Sequence, residues 1–473
     1  MLRVVKLKIF QSFVTAAAMA AAISTAIAAD SAKPNIVLLF ADDLGWGEIG
    51  AQGNKEIPTP NIDSIAAGGV KFTEGYVTCP LCSPSRAGLM TGRYQTRFGH
   101  EFNEGGARGT TFGLPLEEKT IANRLKAAGY ATAAIGKWHL GREPQFRPTK
   151  RGFDEFYGTL ANTPFYHPQL LDSRKSGDPA RVEDDSFYTT EAYAARAVEW
   201  INEHKSEPFF LYMPFNAQHA PLQAPKEYLD RFPQLEGNRK IFAAMLSALD
   251  DAVGEVQGAL DKNGLTENTL VVFLTDNGGP TGSTTSKNDP LRGTKATTLE
   301  GGIRVPFYMQ WKGHLPAGKV YEKPVISIDI LPTALAAAGA EVDADAKLDG
   351  VNLLPYLDGS KEGQPHESLF WRFGEQWAVR HGDWKQVASR PDKLKPMLFN
   401  LAEDVGEAKD LSGEHPDKAD ELKGLWDDWN EKNVDAKWKP EPGQRNRRQR
   451  NRQRAQRRER AQQAQEAAQA PGQ

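Results

Sequence analysis

Short runs of apolar residues alternate along the chain with longer segments of helical spacing. A run that is apolar at every position, rather than at every second one, predicts a strand buried on both faces, as in a parallel sheet. Segments 117–128, 188–204 and 241–260 repeat their apolar residues at the spacing of a helix. This alternation predicts an α/β fold with a mixed, mostly parallel central sheet sandwiched by helices. The apolar runs lie at residues 34–40, 130–135, 208–213, 269–274 and 306–310.

Acidic and amide side chains follow two of these runs. Asp42 and Asp43 come directly after the first run, and Asp276 and Asn277 follow the fourth. Because the carboxyl ends of parallel strands meet at one edge of a sheet, we expect these four side chains to lie together. Three carboxylates and an amide oxygen suit a hard cation, and the set has too little sulfur and imidazole for zinc. The sequence therefore predicts a Ca²⁺ site, with Mg²⁺ as the less favoured ion.

The densest cluster of reactive groups is the stretch 79–93, CPLCSPSRAGLMTGR. Pro84 disfavours helix at Ser83 and suits the first turn of a helix. This predicts Cys82 in the loop just before a helix, near the positive end of the helix dipole. Cys79 and Cys82 are the only cysteines, so a redox pair or a disulfide is the alternative, and a zinc site would need more thiols.

Residues 82–93 resemble the signature of the type I sulfatases, Cys-x-Pro-Ser-Arg followed by an apolar residue, Thr and Gly. The resemblance implies an alkaline-phosphatase-like fold with a small C-terminal α+β subdomain. It also implies that a formylglycine-generating enzyme oxidises Cys82 to formylglycine (3-oxoalanine). The hydrated aldehyde carries two hydroxyls, so one can attack a sulfate ester and the other can later expel the sulfate.

Further segments resemble the same family. They include Gly-Lys-Trp-His at residues 136–139, a histidine just before Ala-Pro at residue 219, and the segment around Lys295. A sulfate ester is an anion, so its hydrolysis needs fixed positive charge and a proton donor. The resemblance implies that His139 is the base that releases the sulfate and that His219, with Lys295, assists the leaving alcohol. It implies six catalytic residues, Cys82, Arg86, Lys137, His139, His219 and Lys295, and five metal ligands, Asp42, Asp43, Cys82, Asp276 and Asn277.

The chain of 473 residues divides by composition into four parts. Residues 1–28 have the charged start, apolar centre and Ala-x-Ala end of a secretory signal peptide, with an uncleaved membrane anchor as the alternative. Cleavage would leave no transmembrane anchor and deliver the protein to the periplasm or the extracellular space. Residues 29–365 are the predicted catalytic domain, and 366–440 a subdomain with a short antiparallel sheet and a helix. The predicted strands of this subdomain lie at residues 376–380, 384–387 and 397–401, and the predicted helix at about 416–430.

Residues 441–473 are predicted to be a disordered tail, because they lack apolar periodicity and are rich in Arg and Gln. Their arginines could bind a sulfated polysaccharide, a membrane surface or nucleic acid, or could belong to a solvated tail without a partner. The net charge of -3 gives no indication of a specific nucleic-acid partner. The arginines are residues 445, 447, 448, 450, 452, 454, 457, 458 and 460.

Substrate contacts are predicted in two loops. His100 and Asn103 lie in a glycine-rich segment after the signature, and His167 lies in a polar segment between two apolar runs. Export, this loop and aromatic residues near strand ends favour a sulfated polysaccharide or oligosaccharide as substrate. The alternatives are a phosphonate or phosphate monoester hydrolase of the same superfamily, and an inactive glycan-binding relative.

Overall fold

The computed structural model of the protein describes residues 33–104, 111–175, 177–342 and 346–439. The predicted signal peptide at residues 1–28 and the predicted basic tail at 441–473 lie outside these ranges. Within them, no helix combines the length and the apolar composition needed to cross a bilayer.

Most strands of the described residues belong to one large sheet. The strands are β1 (Asn35–Ala41), β2 (Val70–Phe72), β3 (Gly75–Tyr76), β4 (Ala131–Lys137), β5 (Glu155–Thr159), β6 (Gln169–Asp172), β7 (Ala180–Arg181), β8 (Phe209–Pro214), β9 (Thr269–Thr275), β10 (Phe307–Gln310), β11 (Lys319–Tyr321), β12 (Val325–Ile326), β13 (Ser368–Phe373), β14 (Gln376–His381), β15 (Trp384–Ala388) and β16 (Pro396–Asn400). The large sheet has the order β11-β2-β10-β9-β1-β8-β4-β5-β6-β7.

The centre of this sheet is parallel. Strands β9, β1, β8, β4 and β5 are paired in parallel, whereas β10, β6 and β7 join it antiparallel. All residues of β1, β8 and β9 are buried, as the continuous apolar runs predict. The prediction of a mixed, mostly parallel sheet is confirmed.

Helices cover both faces of the sheet. The α-helices are α1 (Pro60–Ala67), α2 (Cys82–Thr91), α3 (Ile121–Ala127), α4 (Thr189–His204), α5 (Lys226–Leu229), α6 (Gly237–Lys262), α7 (Thr281–Thr284), α8 (Glu300–Ile303), α9 (Ile330–Ala337), α10 (Leu354–Leu357) and α11 (Pro416–Asn430). Alternate residues of β1 face opposite sides. Leu38 and Phe40 pack in one core with residues of α2, α3 and α9, and Val37 and Leu39 pack in another with residues of α4 and α6.

Helices α2 and α3 do not begin at their predicted positions, and α6 begins at Gly237 rather than at residue 241. Helix α3 begins at Ile121 rather than at residue 117, because Thr120 and Asn123 form a reciprocal capping box with both bonds at 3.1 Å. Helix α2 begins at Cys82 itself, so the prediction that Cys82 lies in the preceding loop is wrong by one position. The reason is that Pro84 occupies the third helical position, where its missing N–H costs nothing.

The C-terminal part contains a four-stranded antiparallel sheet in the order β13-β14-β15-β16, followed by α11. Three of these strands and the helix were expected from the sequence, and β13 was not. One face of the sheet carries Trp371 and Val387, which pack against Tyr76 and Leu299 of the large domain. The predicted boundary near residue 365 falls just before β13.

We expect the ion pair between His366 and Asp329 to make stability depend on pH. Asp329 is fully buried, accepts hydrogen bonds from the N–H groups of Ile326 and Val351 at 2.9 Å, and lies 2.8 Å from Nε2 of His366. Burial alone would lower the pKa of His366, but the Asp329 carboxylate outweighs burial and raises it. The pair therefore stabilises the fold fully below the unfolded pKa of about 6.5, and this stabilisation is lost as pH rises through the folded-state pKa.

Urea unfolding of the wild type and of His366→Gln between about pH 6 and about pH 9 measures this contribution. The stability difference between the two proteins should be larger at the lower pH by on the order of 1 kcal/mol. A difference that stays constant with pH would show that the pair does not titrate as the structure indicates.

Candidate active site

Four neighbouring parallel strands, in the order β9-β1-β8-β4, bring the predicted site residues to one edge of the sheet. Strand β1 lies between β8 and β9 in parallel register, so their carboxyl ends are adjacent. Asp42 and Asp43 follow β1, Asp276 follows β9, and Lys137 is the last residue of β4. The four side chains are almost completely buried. The prediction that the strand ends meet here agrees with the geometry.

The first turn of α2 lies directly against these carboxylates. Cys82 is its first residue and is fully buried, with Sγ 3.6 Å from Oδ1 of Asp42 and 4.0 Å from Oδ1 of Asp43. Arg86 is one turn further along and therefore lies on the same side of the helix as Cys82. The positive end of the helix dipole faces a group of acids, which stabilises their negative charge.

Two buried cations bind the acidic groups from the side of α2 and β4. The Arg86 guanidinium donates to Oδ2 of Asp276 from Nε at 3.1 Å and from Nη2 at 2.7 Å. Its Nη1 donates to the carbonyl of Lys137 at 3.1 Å, which connects helix α2 to strand β4. Lys137 forms an ion pair with Asp42. The guanidinium of Arg86 and the ammonium of Lys137 therefore compensate the negative charges of Asp276 and Asp42, which burial would otherwise destabilise.

A third cation, Lys295, comes from a loop after β9. Its Nζ lies 2.5 Å from Oδ1 of Asp43 and 3.0 Å from Sγ of Cys82. Asn277 donates from Nδ2 to the same oxygen of Asp43 at 2.7 Å. Burial alone would raise the pKa values of Asp42 and Asp43, but the positive charges of Lys137 and Lys295 outweigh burial, and both pKa values fall below the ordinary value.

The donor set fits a divalent cation. Ligand atoms of Asp42, Asp43, Cys82 and Asp276 all lie within 4.8 Å of one another. Oδ1 of Asn277 is buried and has no hydrogen-bond partner among the described residues. A buried acceptor without a donor costs free energy, and a cation bound between these oxygens would remove that cost. Carboxylate and amide oxygens favour a hard ion over zinc.

The thiol of Cys82 is not activated as it stands. Burial raises its pKa, and the neighbouring Asp276 carboxylate raises it further. Catalytic cysteines require the opposite shift. Cys79 is also buried, and the two sulfurs are not bonded to each other, so the geometry offers no support for the redox or disulfide alternative.

Two histidines flank Cys82 at different depths. His139 follows β4 and is 5% exposed, and its Nδ1 has no hydrogen-bond partner among the described residues. Burial and the positive charges of Lys137 and Arg86 lower the pKa of His139 well below its ordinary value, so the ring is neutral and can accept a proton. His219 lies nearer the surface, with Nε2 3.7 Å from Oδ2 of Asp43 and 3.2 Å from Nδ2 of Asn162.

Of the three predicted substrate contacts, Asn103 and His100 lie beside Ser83, whereas His167 lies elsewhere. Asn103 accepts a hydrogen bond from the N–H of Ser83 at 2.9 Å and is partly exposed. His100 is fully buried against the Trp438 ring, and its Nε2 lies 2.7 Å from Oγ of Ser83. His167 contacts the Val182 carbonyl at 3.0 Å, and none of its described hydrogen bonds reaches the strand-end acids. A substrate-binding role for these three residues stays a prediction.

Two polar residues of the site were not identified from the sequence. Ser83 donates from Oγ to the carbonyl of His139 at 2.7 Å and so joins α2 to the segment after β4. Ser83 occupies the unspecified position of the signature Cys-x-Pro-Ser-Arg, so its nearness to Cys82 was the one signal for it. Asn162, the partner of His219, lies in a polar loop without periodicity, and the sequence gives no signal for it.

Comparisons with known proteins agree on one family. The family model described as "Sulfatase" matches residues 34–340, and the one described as "N-sulphoglucosamine sulphohydrolase, C-terminal" matches residues 294–447. The N-acetylgalactosamine-6-sulfatase of Sus scrofa is 33% identical over 444 residues, which are 83% of this chain and 84% of the relative.

Two solved structures with the same architecture also share more than a quarter of their aligned residues with this chain. The crystal structure of Ps i-CgsB in complex with k-i-k-neocarrahexaose superimposes with a TM-score of 0.81 at 36% identity, and covers 87% of this chain and 96% of its own. The structure of PsFucS1 sulfatase from Pseudoalteromonas sp. gives a TM-score of 0.76 at 27% identity, over 85% of this chain and 92% of its own.

We expect Arg86→Met to lower the free energy of unfolding by about 3 kcal/mol or more, measured by urea unfolding in metal-free buffer. Removing Arg86 leaves Asp276 as a buried carboxylate without its guanidinium partner. The matched control is Arg174→Met, because Arg174 pairs with three carboxylates at the surface, where such contacts contribute roughly 1 kcal/mol or less. Equal losses in the two variants would contradict this account of the site.

Proposed function

The chain belongs to the sulfatase family and is a sulfuric ester hydrolase, and from this premise we propose that it hydrolyses sulfate monoesters on sulfated glycans outside the cytoplasm. The observation that carries the proposal is the position of Cys82. It begins a buried helix, faces three carboxylates, and lies 3.0 Å from the ammonium group of Lys295. No other described cysteine combines these surroundings, since Cys79 is not in contact with the strand-end acids.

We infer that Cys82 acts after oxidation to formylglycine by a formylglycine-generating enzyme. The raised pKa of the buried thiol argues against catalysis by the cysteine itself. The hydrated aldehyde supplies one hydroxyl that attacks sulfur and a second that allows the sulfate to leave. Oγ of Ser83 and the loop residue Asn103 hold the first turn of α2, so that residue 82 keeps its position during both steps.

The metal ligands in this proposal are Asp42, Asp43, Asp276, Asn277 and residue 82, and the ion is Ca²⁺. A bound divalent cation supplies positive charge that stabilises the oxyanions of the reaction. Mg²⁺ is less favoured, because it demands near-ideal octahedral geometry and retains water, whereas Ca²⁺ accepts more protein oxygens.

Three cationic side chains stabilise the negative charge of the sulfate group. Lys137 and Arg86 are fully buried, and Lys295 is largely buried, so their fields are weakly screened by water. Arg86 is held by Asp276 and the carbonyl of Lys137, which fixes it before substrate binds. Preorganised charge of this kind favours the transition state without reorganisation at the moment of reaction.

The two histidines transfer protons in different steps: His139 acts when sulfate is released, and His219 acts when the alcohol departs. His139 is neutral and nearly buried, so it takes the proton that must leave residue 82 when sulfate is released. His219 is 20% exposed at the side chain and therefore lies where the departing alcohol meets solvent. When Nε2 of His219 is protonated it donates to that alcohol, together with the Lys295 ammonium group.

Similar proteins support a glycan as the natural substrate. The N-acetylgalactosamine-6-sulfatase of Sus scrofa is named for an amino-sugar sulfate, and Ps i-CgsB was crystallised with a neocarrahexaose. Export to the periplasm or the extracellular space, proposed from the predicted signal peptide, would place the enzyme where sulfated polysaccharides occur. The predicted basic tail is suited to polyanions of the same kind.

The test is a panel of sulfated sugars and 4-nitrophenyl sulfate, given to protein produced together with a formylglycine-generating enzyme. Mass spectrometry of the tryptic peptide of residues 72–86 first confirms the aldehyde at position 82. We expect sulfate release from at least one sulfated oligosaccharide, and no release by Cys82→Ala. Matched phosphonate and phosphate esters serve as controls for the superfamily alternative.

Each alternative predicts a separate result. Faster turnover of phosphonates or phosphates than of sulfates would replace the sulfated substrate class with the phosphorus one. Glycan binding without turnover by fully converted protein would identify an inactive binding relative. Activity on 4-nitrophenyl sulfate alone would overturn the glycan assignment and leave the sulfatase chemistry intact.

The calcium proposal is tested with Asn277→Ala. Removing the amide oxygen should weaken Ca²⁺ binding, measured by isothermal titration calorimetry, by at least about tenfold. Asn162→Ala, which changes the partner of His219 but no proposed ligand, is the control and should bind Ca²⁺ as the wild type does. Unchanged affinity in Asn277→Ala, or tighter binding of Zn²⁺ than of Ca²⁺ by the wild type, would contradict the proposed ligand set.

A further inference from the structure

The position of Lys295 depends on a loop rather than on a regular element. Its Nζ contacts both Asp43 and Cys82, yet the residue lies between β9 and the short helix α8, in neither strand nor helix. A side chain as flexible as lysine reaches a defined point only when its backbone is fixed. Contacts of the neighbouring residues must therefore fix the backbone at this position.

The next residue, Ala296, has a φ of 66°, in the left-handed region that residues with a Cβ seldom adopt. Such a conformation persists when surrounding contacts determine it. Both polar groups of this residue are engaged. Its N–H donates to the carbonyl of Pro80 at 2.8 Å, and its carbonyl accepts from Nε2 of Gln376 at 3.0 Å. Pro80 lies two residues before Cys82, so the first bond ties Lys295 to the nucleophile segment.

The second bond comes from the C-terminal sheet. Gln376 is the first residue of β14 and is fully buried. Its Oε1 accepts from Oγ of Ser389 at 2.9 Å and from the N–H of Arg390 at 3.0 Å. Two donors on Oε1 define the amide orientation, so Nε2 is the atom that faces Ala296. The amide oxygen of Gln376 therefore accepts two hydrogen bonds, and its nitrogen donates one to the carbonyl of Ala296.

The rest of the loop is anchored on the same sheet. The N–H of Glu300 donates to Oε2 of Glu407 at 2.7 Å, and the buried Nζ of Lys385 contacts Glu300 at 2.7 Å and Glu407 at 2.8 Å. These contacts hold the far end of the loop at Glu300, five residues from Lys295. Gln376 makes the contact with the C-terminal sheet that is nearest to Lys295 among those described.

We propose that Gln376 is a positioning residue for Lys295, through which the C-terminal subdomain sets the place of a cation in the active site. The proposal rests on the proposed function, because it requires Lys295 to act on the sulfate ester and its leaving alcohol. A displacement of about 1 Å in a catalytic group can cost on the order of a hundredfold in rate. Replacing Gln376 by an apolar residue would release the Ala296 peptide and let the ammonium group move.

The variant is Gln376→Leu, and its matched control is Gln386→Leu. Gln386 is also buried and lies on the adjacent strand β15, but it alternates with Lys385 and Val387 and so faces away from the loop. Both substitutions remove one buried amide from the same sheet. Thermal unfolding of the two variants shows whether each remains folded.

The first measurement compares leaving groups. On a sulfated sugar, whose alcohol is a poor leaving group, we expect kcat/KM of Gln376→Leu to fall by about tenfold or more. On 4-nitrophenyl sulfate, whose phenolate needs little help, the loss should be several-fold smaller. Gln386→Leu should leave both values close to those of the wild type. Losses of the same size in Gln376→Leu and in Gln386→Leu would indicate a structural role for Gln376 and overturn the proposal.

The second measurement is a double-mutant cycle. In a Lys295→Ala background, Gln376→Leu should cause no further loss, because the group that it positions is already absent. Losses that multiply would show that Gln376 acts independently of Lys295.

Crystal structures of the variants give a result that does not depend on activity. In unmodified Gln376→Leu, the distance from Nζ of Lys295 to Sγ of Cys82 should exceed its present 3.0 Å by more than about 1 Å. In Gln386→Leu it should not change. An unchanged distance in Gln376→Leu overturns the proposal. A wild type that hydrolyses no sulfate ester would instead reject the proposed function, and the distance would still report on Gln376.

Discussion

The active site depends on a balance of buried charge. Three carboxylates, Asp42, Asp43 and Asp276, lie within a few ångströms of one another at the ends of two parallel strands, where water screens them little. Each is compensated by a cation from a different part of the chain: Lys137 from β4, Arg86 from α2 and Lys295 from the loop before α8. None of these pairs is local in sequence, so the acids are stabilised only when the sheet, helix and loop have all reached their native places.

The same arrangement explains the local backbone. Asp43 and His139, each just beyond a strand end, have φ values of 62° and 61°, although neither is glycine. Such backbone conformations carry an energetic cost that the surrounding bonds must offset. Ser83 contributes to this by bonding the carbonyl of His139, and Arg86 by bonding that of Lys137. Helix α2 and strand β4, with the residues that follow it, therefore hold each other in position.

Patterns that are local in sequence predicted the central strands of the sheet and the meeting of the acidic side chains at their ends. The central strands β1, β8 and β9 were visible because burial on both faces makes every residue apolar. Strand β13 was missed, since the adjacent aromatic residues Phe370 and Trp371 mask its alternating burial. Gln376 and Asn162 could not be found, because their importance comes from long-range contacts with Ala296 and His219 that leave no mark on neighbouring residues.

The C-terminal sheet packs against the large domain through buried apolar and charged contacts. Its face packs Trp371 and Val387 into one cluster with Tyr76 and Leu299 of the large domain, and its Lys385 compensates the buried Glu300. Without that sheet, Glu300 would lose the ammonium group of Lys385, and a buried carboxylate that loses a charge partner destabilises the fold. The loop carrying Lys295 would lose the anchor on its far side as well. The large domain therefore holds the acids, Cys82 and His139, whereas the loop that carries Lys295 is bonded to both parts of the chain.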